Sequence, residues 1–163
     1  MTTIQTTRLK PNPAGKDRSK TSISETQLAA EWIDFKNVCG QTVELGGLSL
    51  YHKAFKSNGT YEWELVRTLG GVLEPGKVLR IHSGKGPYAV VQDADKVGSD
   101  YYYFTGQSRY VWNNDFGDTA AIWRPSTKEF VDQASYDPYP PEGVILQRVG
   151  NKFVALTAAV SRS

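Results

Sequence analysis

Apolar and polar residues alternate with a period of two along most of this chain. In EWIDFKNV, Ile33 and Phe35 fall on one face and Asp34 and Lys36 on the other, the pattern of a half-buried strand. Trp32 lands on the polar face of that strand and calls for cover from elsewhere in the chain. QTVELGGLSLYHKAF supplies two further short strands, around residues 43–45 and 48–52, parted at Gly46-Gly47. Asn58-Gly59 marks a tight hairpin, and TYEWELVRTL is its returning strand. Pro75-Gly76 fits the centre of a type II turn, because proline presets φ and glycine takes the positive φ. A strand over residues 78–82 follows it. YYYFTG and SRYVW are aromatic and β-prone. DTAAIWRPSTKEFVDQASY is a hairpin with strands near 119–124 and 129–136, and GVILQRVGNKFVAL is another, turning at Gly150-Asn151. SETQLAAEW offers one short helical turn after Ser24. Ile33, Phe35, Val43, Leu45, Leu50, Val78 and Ile122 are the expected core. Many short strands parted by turn signals predict an all-β fold, an antiparallel sandwich or barrel.

Length and charge refine this picture. The 163 residues suffice for one domain with its own core, and 39% apolar with 22% charged residues suits a globular protein. A net charge of +2 is too small to argue for nucleic acid, but its distribution is uneven. Residues 1–28 hold Arg8, Lys10, Lys16, Arg18 and Lys20 against Asp17 and Glu25, a net +3 that leaves −1 for the rest. With Pro11, Pro13 and many Ser and Thr, this segment is expected to be an extended basic arm that contacts something outside its own domain. The N-terminus has no apolar signal segment, and no stretch is long and apolar enough for a membrane span. The expected setting is the cytoplasm, with a virion or released particle as the other. Cys39 is the single cysteine, which excludes an intrachain disulfide.

Five segments in order, EWIDFKN, VELGGLSL, LEPGKVLRIHSG, VWNNDFGDTAAIW and KEFVDQASY, resemble the lamin tail domain family, and its stand-alone prokaryotic members most of all. The upstream NPAGKDR is similar to short segments that precede the domain in prokaryotic members. The resemblance implies an immunoglobulin-like β-sandwich over residues 29–136, with the arm 1–28 before it. Residues 137–163 would be a Pro-rich connection, an added hairpin and a tail. It further implies that residues 31–37 form the first strand. Trp112, Asn113, Asn114, Gly117, Asp118 and Thr119 would form the loop entering the late hairpin. The chain departs from the family pattern at RPSTK, where a turn with Asp or Asn and Gly is usual, and in the hairpin 143–156 beyond the usual boundary.

Candidate chemistry is sparse. His52 and His82 sit in expected strands without a nucleophile beside them, and Cys39 has no histidine partner in the pattern. Asp93, Asp95 and Asp100 begin like a calcium loop, but Val97 and Phe104 occupy positions that should carry oxygen ligands. No catalytic residue, cofactor or metal is assigned. Period two means that Tyr101, Tyr102 and Tyr103 do not all face inward, so at least one is exposed, as at a protein interface. Trp112, Asn113 and Asn114 leave two readings open: a demanding turn, in which the amides bond nearby backbone, or a binding loop. The expected function is a non-enzymatic structural or protein-binding module, a self-assembling or particle-surface subunit, whose partner is a protein, copies of itself included. The alternative is a nucleic-acid-binding module that uses the basic arm.

Overall fold

Turn chemistry and alternation place most strands where the sequence puts them. In the computed structural model, which describes residues 3–16 and 23–156, α1 (Glu25–Ala29) starts at Ser24. The Ser24 side chain accepts from the Gln27 N–H, and the Gln27 side chain accepts from the Ser24 N–H, a reciprocal cap. β2 (Trp32–Asn37) and β3 (Val43–Glu44) follow, then β4 (Ser49–Phe55), which turns through Asn58-Gly59 into β5 (Tyr61–Thr68). β6 (Val72–Leu73) leads through Pro75-Gly76, with Gly76 at φ 77°, into β7 (Val78–His82). β8 (Tyr101–Phe104), β9 (Asp118–Arg124), β10 (Glu129–Tyr136), β11 (Leu146–Val149) and β12 (Lys152–Val154) complete this series. The SRYVW stretch is not a strand: residues 105–117 form a long loop.

The molecule is all-β and sandwich-like. One ten-stranded sheet runs β5-β4-β9-β10-β12-β11, continues through β1 (Ile4–Lys10), and ends β2-β7-β8; β3 and β6 pair separately. A single apolar cluster takes Leu50, Val66, Ile122 and Ala134 from one half of the sheet and Ile4, Leu9, Ile33, Phe35 and Ile81 from the other. Two halves that share one core must curl over to face each other. Pairing is antiparallel except for β7 with β8 and β10 with β12, which are parallel. Of the expected core, Ile33, Phe35, Leu45, Leu50 and Ile122 lie in the cluster, while Val43 and Val78 are only half-buried.

Two expected boundaries are overturned. The described part of the segment 1–28 is not an arm reaching outward. Its residues 4–10 form β1, which lies inside the sheet between β2 and β11. Ile4 and Leu9 are fully buried, and a bulge between Thr6 and Arg8 brings both, five residues apart, into the core. The first strand is therefore β1, not residues 31–37. The hairpin β11–β12 is likewise no appendage: β11 pairs with β1 and β12 with β10, so it joins the two halves of the sheet. Arg18 and Lys20 lie outside the described residues.

Because β1 has strands on both sides, a chain beginning at Glu25 is expected to lose its cooperative unfolding transition. Leu9→Ala in the full chain should cost about 2–5 kcal/mol, the range for a truncated core side chain. Chemical denaturation checks both, and an unchanged midpoint in either would mean that β1 adds nothing to the fold.

Candidate interaction surface

Alternation gives the β5-β4-β9-β10 half an outer face as well as an inner one. On β5, Val66 points into the core, so Tyr61, Trp63 and Leu65 point out. Their partners across β4 are Phe55, Lys53 and Tyr51. Trp123 and Phe130, paired across the β9–β10 hairpin, join the same face. Phe130 packs against Trp63, with centroids 5.2 Å apart, and against Trp123 at 4.6 Å. Tyr51, Trp63, Trp123 and Phe130 line an open cleft of about 190 Å³. The Lys53 ammonium sits 5.6 Å from the Trp63 ring centroid. Beside them Phe55 stacks on Phe116 at 4.0 Å and meets Tyr61 edge-on at 5.2 Å.

Tyr61, Trp63, Leu65, Phe116 and Phe130 remain 37–49% exposed. Aromatic side chains carry 150–250 Å² each, so these alone leave on the order of 400 Å² of apolar surface in water. A patch of a few hundred Å² on one face is the scale at which monomer surfaces are functional. The sequence reading missed this patch. Its signal was the alternation Tyr61, Trp63, Leu65 against Glu62, Glu64, Val66, which fills the outward side of β5 with large apolar groups.

The 112–118 loop underpins the same half as a turn device. The Asn113 side-chain oxygen accepts from the N–H groups of Asp115 and Phe116, at 2.8 and 3.0 Å. Asp118 Oδ1 accepts from the Lys53 and Thr119 N–H groups, and Oδ2 from the Asn113 N–H. Asn114 donates to the Asn12 side chain at 2.9 Å. Gly117 has φ 70°, and a Cβ there would meet the Tyr136 carbonyl oxygen at 2.3 Å, so only glycine fits. Trp112 is buried in the core, edge-on to His52. Trp112, Asn113 and Asn114 thus serve the fold, while Phe116 is the exposed side chain this loop adds to the aromatic face.

The described basic candidates are also engaged within the chain. Arg8 pairs with Asp34 at 2.8 Å, Lys10 with Asp95 at 2.7 Å and Lys16 with Glu31 at 2.7 Å. The Asp93–Asp100 loop turns one carboxylate inward. Asp95 is buried, and its Oδ1 accepts from both Lys10 and the Trp32 indole. That contact, with Arg80 stacked 3.6 Å from the Trp32 centroid, is the cover that Trp32 required. Tyr101 and Tyr102 are exposed; Tyr103 is half-buried and donates to the Gly70 carbonyl. Among the described residues no group of three or more His, Cys, Asp or Glu side chains is gathered to hold a metal ion. No described helix is long and apolar enough to cross a membrane.

His52 bridges two carboxylates, Nδ1 to Asp118 at 2.8 Å and Nε2 to Glu64 at 3.3 Å. Burial lowers its pKa, but the Asp118 hydrogen bond and the Asp118 and Glu64 charges outweigh burial, and the net pKa is raised above 6.5. His82 is the opposite case. Burial outweighs its hydrogen bond to the Ala29 carbonyl and holds its pKa below 6.5. No protein-family model matches this chain, and no curated protein matches it.

Asp118→Ala strands buried donors and an imidazolium at once, so it should cost about 3 kcal/mol, the upper range for hydrogen bonds to a charged group. Calorimetry checks this, and a loss of a few tenths would mean the loop holds without it. For His52 the raised folded-state pKa makes its contribution complete below pH 6.5, fading as pH rises through the folded value. The stability gap between the parent and His52→Gln should therefore narrow from pH 6 to pH 8.5. A gap that widens with pH would contradict the ion-pair geometry.

Proposed function

We propose that the protein is a non-enzymatic structural module that binds protein surfaces, copies of itself among them, as a shell or particle-surface subunit does. The observation that carries this reading is the outer aromatic face of β4, β5, β9 and β10. Exposed Trp and Tyr with a charged rim are the composition of interface centres. A stable interface takes about 800 Å² from each partner, so this patch would form its core, with Lys53 as a charged group beside Trp63. The lamin tail resemblance, which implies an immunoglobulin-like module, supports the same reading. Three of the five basic residues behind the nucleic-acid alternative, Arg8, Lys10 and Lys16, are paired with carboxylates of their own chain, which favours the protein-binding reading.

Sedimentation velocity over a concentration series tests this. The parent chain is expected to self-associate, and Trp63→Glu with Phe130→Glu to remain monomeric with an unchanged melting midpoint. Association should persist in 0.5 M salt, whereas phosphate binding falls steeply with salt. A parent chain that stays monomeric at every concentration would overturn self-association through this face.

A further inference from the structure

The far edge of the sheet carries a second feature, independent of the aromatic face. Among the described residues β8 pairs with β7 alone, so its other edge has no described strand beside it. Asp100 donates its N–H to the Val78 carbonyl, toward β7. By strand alternation Tyr101 and Tyr103 then turn their backbone N–H and C=O groups to the open edge. Their side chains share a face and reach across to the segment before β7. Tyr103 Oη donates to the Gly70 carbonyl at 2.6 Å, and Tyr101 Oη lies 2.8 Å from the Glu74 carboxylate. Between these two phenols opens a cavity of about 270 Å³ over Leu45, Leu73 and Leu79. Gly70 and Gly71 line its rim, so no side chain from them closes it.

One end of this groove is acidic. Asp100 lines it and Glu74 stands beside Tyr101, with Lys77 the nearby cation, 3.8 Å from Asp100. The Tyr101 hydroxyl holds the Glu74 pKa below its ordinary value, so the carboxylate stays charged. At the other end Arg67 lies over the Tyr103 ring and donates to the Phe104 carbonyl.

We infer that β8 accepts an extended segment of another polypeptide as an added strand, with one large apolar side chain in the Leu45–Leu73–Leu79 cavity and a basic residue at Glu74 and Asp100. The free edge supplies main-chain hydrogen bonds, and the cavity between alternate side chains supplies selectivity. The acidic end sets which flank carries the cation. The tyrosines that line the groove are thereby wall and rim of a peptide site.

The test uses the full chain, isotope-labelled, titrated with synthetic seven-residue peptides of alternating Thr around one Leu, with a Lys on one flank. Amide shifts are expected at Tyr101, Tyr103 and Val72, with slowed hydrogen exchange at Tyr101 and Tyr103. Replacing the peptide Lys by Glu should weaken binding about three- to fivefold, the scale of an exposed ion pair, and Glu74→Lys should reverse that preference. N-methylation of the central peptide amides should abolish binding. Trp63→Glu should leave it unchanged, which separates this site from the aromatic face. No saturable shifts at millimolar peptide would overturn the inference. So would shifts confined to Trp63 and Phe130, or binding indifferent to N-methylation.

Discussion

The Glu31 carboxylate lies fully buried where the N-terminal segment, the sheet end and the aromatic loop meet. One oxygen accepts from the Ser83 hydroxyl and the Val111 N–H, the other from the Trp112 N–H and the Lys16 ammonium. Lys16 in turn donates to the carbonyls of Pro11 and Trp112. An uncompensated carboxylate at this depth would cost several kcal/mol, so these segments are obliged to close on it together. The chain after β1, the end of β7 and the 105–117 loop are held by one charge. Trp112 is thereby seated in the core against His52, and the loop can deliver Asp118 to the start of β9.

A second buried charge organises the opposite face. Arg80 makes two bonds to Asp34, donates to the carbonyls of Asp95 and Val97, and stacks on Trp32. Arg8 shares Asp34 and also reaches the Gly98 carbonyl. The long loop between β7 and β8 is thus pinned over the polar side of β2, which becomes a second interior. The consequence for function is one of availability. Arg8, Lys10 and Lys16, which look like part of an outward-facing arm, are consumed inside the fold, while the aromatic residues of β5 and β10, which have no such internal claim, stay at the surface.

The turns and most strands were legible in the chain because their causes are local. Asn58-Gly59, Pro75-Gly76, the Ser24 cap and the alternation of Ile33 and Phe35 each act within a few residues. The same holds for the Asn113 turn, whose oxygen bonds N–H groups two and three residues on. β1 was not legible, because Ile4 and Leu9 are too few to stand out among Thr, Gln and Lys. Its strand character comes from the two neighbours that flank it. Of the surface features, only the exposure of at least one tyrosine of β8 was legible; nothing local says that Trp63 and Phe130, distant in sequence, would touch.

By itself, then, the sequence determined an all-β fold, the hairpins at 58–59, 125–127 and 150–151, and five of the seven expected core side chains. Only the tertiary structure decided that residues 4–10 enter the sheet, that Trp32 is covered by Arg80 and Asp95, and that β11 and β12 join the two halves. The reason is physical. Turns and alternation are set by interactions between near neighbours, whereas the partners of a strand and the counter-charge of a buried carboxylate come from segments tens of residues away. These meet only when the sheet curls and desolvation leaves each charge no alternative to pairing.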